Sequence, residues 1–411
     1  MELCHHFPRY NLFNPLAPVW CVTPHEGRVI HRFFDTSPFS PSGRYLALLR
    51  LPVEDRNALP GETAEVVLVD LHEGTERVLA NTRGWEIQVG AHVQWGSADT
   101  ALYYNDVERH GWQPHGVKMN PFTGEQQKLD GCIFMLSPDG TRAATTCPVR
   151  ARRTQLGYGV ILPDEYVPRN RRLAEDDGLF ITDTATGACI LVASLKDIVE
   201  QVRSAIDWRQ YADGEFYGFQ CKWNPQGTRL LIVVRWVSNQ GLQRKNHVIT
   251  MRGDGSDIHL AIPAVEWAKG GHHINWHPDG EHLTMNLNLH GDGLRFVQVR
   301  HDGTDLHALL DDVQGSGHPT VHRDGIHILT DTYCGEPLAY ADGTIPLRLI
   351  DLRSGEEREV ARMRTKVPYP DNTLRVDAHP AWDSHFRWIA FNGYAGGTRR
   401  VYVADFSTLV G

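Results

Sequence analysis

The sequence predicts an all-β fold: a seven-bladed β-propeller of four-stranded antiparallel blades, closed by an N-terminal strand. Three observations carry this. A hairpin pattern recurs seven times along the 411 residues. A second strand–turn–strand follows the hairpin in most copies. The last copy lacks its outermost strand, which must come from elsewhere in the chain. Repeats of about 40–50 residues built this way are propeller blades, because one such sheet cannot bury both faces alone.

The hairpin is clearest in GHHINWHPDGEHLTMNL, residues 271–287. A short strand runs into the turn Pro278-Asp279-Gly280, and a second strand leaves it at Leu283. The other copies occupy residues 33–48, 91–104, 131–146, 218–234, 317–331 and 377–392. Their turn positions fall at Gly43, Asp99, Gly140, Gly227, Gly280, Gly325 and Phe386. Second hairpins are legible at 66–80, 179–193, 248–262, 296–310 and 347–361.

In chain order, residues 1–17 are rich in Pro and Asn and are expected to lie along the outside. The segment from Pro18 to Pro24 is the expected donor of the closing strand. Blade one spans about 25–82 and blade two about 85–130. Blade three is interrupted by an insertion at about 148–178, basic in its first half, with Arg150, Arg152 and Arg153. A helix is expected at about 194–210, with Ser194 as N-cap and Ile198, Val202 and Ile206 as its apolar stripe. Blades four, five and six run to about 262, 312 and 364, and blade seven to the end. The third strand of blade seven, VYVADF (401–406), has almost nothing after it. The whole of 1–411 thus reads as one propeller domain.

Composition narrows the function. The net charge of −9, from 41 basic and 50 acidic residues, disfavours bulk nucleic acid and anionic membranes as partners. No apolar run approaches the ~18–20 residues of a membrane span. The N-terminus has no apolar signal-peptide region, so the chain as written reads as cytoplasmic, or periplasmic if a leader was trimmed. The seven cysteines are scattered and form no C-x-x-C pair, so they read as buried free thiols in strands.

Seven residues before each turn position stand Thr36, His92, Ile133, Gln220, His273, His318 and His379. In a propeller these positions start the innermost strands and converge at one mouth of the channel. His92, Gln220, His273, His318 and His379 are therefore expected to ring one opening. The alternative is that each histidine merely ties neighbouring blades together.

Two chemistries fit the ring. His273, His318 and His379 with Gln220 suit a divalent metal such as zinc, manganese or nickel. Otherwise one or two imidazoles act as general base and acid near neutral pH. Arg235, one strand beyond Gln220, and Arg150 and Arg153 suit an anionic substrate, above all a carboxylate. A second constellation, His31 with Arg32 and Asp35, precedes the first inner strand. Position alone makes His31 an exposed loop histidine at the edge of the disc.

The run His31-Arg-Phe-Phe-Asp-Thr-Ser-Pro, the segments Gly84-Trp85-Glu86 and Gln88 to Gly96, the pair Asn105-Asp106, and Gly157-Tyr158-Gly159 together resemble a known family. It comprises seven-bladed propeller enzymes acting on L-rhamnose-α-1,4-D-glucuronate linkages of arabinogalactan proteins and gum arabic. The family is described both as exo-α-L-rhamnosidases and as polysaccharide lyases. More distantly the blades resemble oligogalacturonate and ulvan lyases, which use histidine, tyrosine and arginine and often a metal. The hydrolase description implies that His31 is catalytic; the lyase description implies histidines and arginines of the channel mouth.

The expected activity is cleavage of a uronate-containing oligosaccharide by β-elimination, with hydrolysis of the same linkage as the alternative. Elimination needs a base for the C5 proton, for which His92 and His273 are the candidates. Arg235 and Arg153 are expected on the substrate carboxylate, and Tyr158 and Tyr333 are reserve acids. Arg150, Gln220, His318 and His379 are expected to bind substrate. The rival from another class is a non-catalytic propeller serving as a binding platform.

Overall fold

A computed structural model describes residues 3–410; Met1, Glu2, Gly411 and the side chain of Cys4 lie outside the described residues. The fold is all-β. Six sheets have four antiparallel strands, and a seventh has five. This is the seven-bladed propeller pattern. Six of the seven turn positions have left-handed backbone: Gly43, Gly140, Gly227, Gly280, Gly325 and, at φ 56°, Phe386. Glycine adopts that conformation without a Cβ clash, which is why it recurs at the repeat's turn.

The N-terminal donor strand is present. Val19–Cys21 pairs with the last strand, Thr398–Asp405, in the register Val19↔Ala404 and Trp20↔Val403. A two-residue strand, Arg9–Tyr10, adds a fifth member outside it. Most of the described residues of 1–17 are exposed, with buried exceptions. Leu3, Phe7 and Ala17 are buried, and Leu3 and Phe7 share a core with Val29, Leu46, Val67 and Val403.

The chain divides into two compact units. One comprises Met1–Asp106, Lys118–Gln126 and Ser316–Gly411; the other comprises Val107–Val117 and Gln127–Gly315. In the first, Leu347 and Leu349 of the sixth blade share a core with Ile389, Phe391 and Tyr402 of the seventh. In the second, Leu179 and Ile181 of the third blade share one with Leu230 and Ile232 of the fourth.

The predicted helix is real but shorter: Leu195–Gln201, followed by 3-10 turns at Arg203–Ala205 and Trp208–Tyr211. Ser194 does cap it. Its hydroxyl accepts from Asp197 N–H, and the Asp197 carboxylate accepts in return from Ser194 N–H. The insertion contains a one-turn helix, Pro148–Ala151, and a 3-10 turn, Asp164–Tyr166. Among the described residues, no helix is long and apolar enough to cross a membrane. The described cysteines are free, but Cys334 is exposed, contrary to the expectation of buried thiols.

Two inner hairpins share a histidine-flanked turn. In the fifth blade, Asp279 accepts from the amides of Glu281 and His282 and lies 2.7 Å from His282 Nδ1. In the sixth, Asp324 accepts from the amides of Ile326 and His327 and lies 2.7 Å from His327 Nδ1. Burial pushes both carboxyls up, but these bonds outweigh it and hold each at about 2. A carboxyl held low in the folded state stabilises the fold above its unfolded value near 4. That contribution is lost as pH falls toward 2. We expect Asp324→Asn to lose about 1–3 kcal/mol at pH 7 in urea denaturation. The difference from the natural protein should shrink as pH falls from 4 to 2.

Candidate active site

The first unit holds a closely packed polar cluster built on four hairpins. Its centre is Asp331, at the end of the outgoing strand of the sixth blade. The pairing Thr320↔Leu329 extends to place Asp331 opposite His318. His318 N–H donates to Asp331 Oδ1 at 2.7 Å, and His379 N–H, from the seventh blade, donates to Oδ2 at 3.0 Å. His318 Nδ1 lies 2.8 Å from Oδ1 and 3.1 Å from Oδ2. A carboxylate accepts, so Nδ1 carries a proton, and whenever the ring is neutral its lone pair lies on Nε2. Burial pushes Asp331 up, but the charge and hydrogen bond of His318 and the two amides outweigh it and hold the carboxyl below its ordinary value.

His318 and His379 meet edge to face, with ring centroids 4.3 Å apart. One ligand atom from each, with one from Asp377, lies within 4.8 Å of the others, and all three residues are buried. Phe33 packs on both imidazoles, at 5.6 Å from His318 and 4.7 Å from His379. Tyr333 meets the His318 ring edge to face at 5.4 Å.

His31 belongs to this same cluster. Its expected place as an exposed loop residue is corrected: it is 0% exposed. Its N–H donates to Asn392 Oδ1 at 3.0 Å, and its Nε2 lies 3.4 Å from Ala378 O. Its Nδ1 is buried without a partner, and its ring lies 6.4 Å from that of His379. Burial lowers its pKa to about 4. The apolar pair Phe33-Phe34 that follows draws the segment inward.

Arg32 connects His31 to His92. Its Nε–H donates to His92 Nδ1 at 3.3 Å, and its Nη1 pairs with Asp35 at 2.8 Å. His92 Nε2 lies 3.8 Å from Glu86. Burial, and then the Arg32 charge, push His92 well below the usual imidazole range, so the ring is neutral at pH 7.

Three residues at the common offset have left-handed backbone: His92 (φ 54°), His273 (φ 60°) and His379 (φ 49°). In the sixth blade the residue before His318, Gly317, takes this conformation at φ 64°. Non-glycine residues in this region are uncommon and mark places where surrounding structure imposes the geometry.

The remaining candidates stand in the second unit. His273 packs on His272, with their Nδ1 atoms 2.9 Å apart, and Asn286 lies across the hairpin. Gln220 is buried beside the bulge after Gly218. Arg235 is buried over the Phe219 ring, 3.2 Å from its centroid, and donates to Gln155 at 3.0 Å and Thr154 at 3.3 Å. Among the described residues no carboxylate pairs with it. Tyr158 is buried against Phe219 at 5.2 Å. Arg150 is committed to Asp176 at 2.6 Å. Arg153 lines a separate cavity with Arg152 and Arg169.

Sequence reasoning missed Asp331 and Asp377 and left Glu86 without a role. The hairpin register was the available signal for Asp331. Extending the inner pairings outward places Asn105, Asp331 and Asn392 opposite His92, His318 and His379, while in the fifth blade a bulge pairs Asn286 with His272 instead of His273. A second group, His322 with Asp324 and His327, also has the spacing of a metal site. Its imidazoles are engaged within the turn: His322 Nδ1 accepts from Asp324 N–H, and His327 Nδ1 lies against the carboxylate.

No protein-family model and no curated protein sequence matches the chain. Solved structures do. The fold is similar to that of an oligogalacturonate lyase in complex with manganese, with TM-score 0.65 and 15% identity over 97% of this chain and 96% of that one. Oligogalacturonate lyase from Vibrio parahaemolyticus matches with the same figures. The β-propeller domain of the Trilobed protease from Pyrococcus furiosus follows, with TM-score 0.53 and 11% identity over 93% and 96% of the two chains. At these identities the likeness is one of fold.

The buried neutral His31 has a measurable consequence. A histidine whose folded pKa is depressed contributes stability above its unfolded value near 6.5, and loses it as pH falls toward 4. The shift corresponds to about 3 kcal/mol. We expect His31→Gln to remove this part of the slope. Urea unfolding from pH 7 to pH 4 should show a shallower loss of stability than in the natural protein; an unchanged slope would sink the assignment.

Proposed function

We propose that this protein is a lyase that cleaves a uronate-containing oligosaccharide by β-elimination, with a rhamnose–glucuronate linkage as its substrate class. The observation that carries this is the buried cluster of His318 and His379 over Asp331, beside Asp377. Two imidazoles and a carboxylate form a donor set suited to a divalent transition metal. Asp331 fixes the tautomer and orientation of His318, as carboxylates behind metal-ligating histidines do. The likeness in fold to an oligogalacturonate lyase in complex with manganese supports the same reading.

His318, His379 and Asp377 would hold the ion. When bound, a divalent cation supplies positive charge that neutralises a uronate carboxylate and makes the C5 proton more acidic. The base is a neutral histidine. His92 is the candidate of the first unit: burial and Arg32 keep its ring uncharged, and it takes a proton at Nδ1 once the Arg32 hydrogen bond opens. His273 is the candidate of the second unit. The base takes the C5 proton, the C4–C5 double bond forms, and the C4–O4 bond breaks. An acid returns a proton to O4; Tyr333, whose ring packs against that of His318, is the candidate. No water is consumed. Arg235, which lacks a carboxylate partner among the described residues, is the candidate for a uronate carboxylate in the second unit, and Tyr158 stands beside it as a reserve acid.

Hydrolysis of the same linkage is the second reading. What favours it is His31: a neutral imidazole with one nitrogen unpartnered, in the same cluster.

One incubation separates the two. Rhamnose-capped glucuronate oligosaccharides should give a product with the ultraviolet absorbance of an unsaturated uronate and a mass one water below the hydrolysis product. We expect His92→Ala to cost about 10²–10⁴-fold in rate. Asp331→Asn should weaken metal binding about 10–100-fold, measured by competition with a chelator. Products carrying the extra water would establish hydrolysis, and full activity in His92→Ala would remove its role as base.

A further inference from the structure

The inserted segment and the fourth blade enclose a cavity that the proposed reaction does not use. The first two strands of this blade, Gly214–Trp223 and Arg229–Ser238, have ten residues each and are the longest in the chain. Their far end, where Glu215 pairs with Val237 and Tyr217 with Arg235, forms one wall. Arg152, Arg153 and Arg169 of the insertion form the other, and the volume is about 240 Å³.

The wall carries three guanidinium groups against one carboxylate, Glu215. Arg152 is engaged: it donates to Leu162 O and lies 3.7 Å from the highly exposed Asp164. Arg153 donates to Val167 O, but its Nε is buried without a partner. Arg169 makes no hydrogen bond or ion pair among the described residues. Like charges held together at a partly buried wall favour a counter-anion, and the planar fork of arginine matches a carboxylate.

The rest of the lining selects among anions. Glu215 opposes a small, fully charged ion such as phosphate but suits the hydroxyl groups of a sugar. Asn239 and Gln240 add polar contacts at the rim, and the buried Tyr217 offers a ring. The space admits one sugar ring rather than a long segment of chain.

We propose that this cavity binds a sugar acid, with its carboxylate on Arg153 and Arg169 and its hydroxyls toward Glu215. The choice of a uronate as the acid rests on the proposed reaction; the cavity's preference for a hydroxylated carboxylate does not.

Calorimetric titration of the full chain with D-glucuronate, D-glucose and inorganic phosphate tests it. D-Glucuronate should bind and D-glucose should not, and phosphate should bind more weakly. Arg169→Ala removes an exposed side chain with no hydrogen bond or ion pair among the described residues, so the fold should tolerate it, and it should weaken glucuronate binding about ten- to hundredfold. Glu215→Gln should narrow the preference for glucuronate over phosphate. Unchanged affinity in Arg169→Ala, equal binding of glucose or phosphate, or no binding of glucuronate overturns the proposal. A protein that cleaves uronate oligosaccharides yet fails this titration loses only the cavity's role. One that passes it without cleaving them loses only the proposed reaction.

Discussion

The carboxylate of Asp331 is the interaction on which the first unit's site depends. It takes one backbone amide from the sixth blade and one from the seventh, and it faces the Nδ1 proton of His318. These bonds hold the starts of two inner strands in one place. They fix the tautomer of His318 and help to hold His379 in its left-handed backbone at φ 49°. A buried, ionised group with three donors is costly to disrupt, because removing it leaves each donor unsatisfied at about 1–3 kcal/mol. The aromatic contacts of Phe33 with both imidazoles presuppose this arrangement, and the nearby His31 is drawn in with them.

The propeller was legible because a blade repeats its own turn chemistry. Glycine at the hairpin position reports a left-handed backbone, and Pro-Asp or Asn-Pro before it reports the turn. The closing strand was legible from what the last repeat lacked. The helix after the third blade was legible at its start, through Ser194 and its capping box, and illegible at its end. The pattern Ile198, Val202, Ile206 continues past Gln201, where the backbone changes to 3-10 turns.

The site was legible in part. The common offset from the turn picked out His92, His318 and His379, and the structure puts all three in the first unit with His31 and Arg32. Their partners were not read, because the offset looks along one strand. Asp331 lies across the hairpin, and only the antiparallel register reveals it. The burial of His31 escaped for another reason. An approach to a strand reads as exposed loop unless the two phenylalanines after it are taken as core. Histidine content alone was also a poor guide. His282 and His327 serve their turns through Asp279 and Asp324, with the same side chain in a purely local bond.

The arginines divide on physical grounds that the sequence does not carry. Arg150 has Asp176, and Arg348 has Glu357, so their charges are answered within the chain. Arg235 is buried over Phe219 and, among the described residues, has an amide and a hydroxyl to receive its protons. Burial, and then the neighbouring Arg244, push its pKa well below the usual value. A guanidinium does not resolve that situation by losing its proton; it remains charged and attracts an anion. Arg169 is exposed, and no acid among the described residues pairs with it either. A chain with net charge −9 has carboxylates to spare, so cations left without them are not short of partners by composition. The fold withholds those partners at Arg235 and Arg169, which is the arrangement expected where an acidic ligand is to supply them.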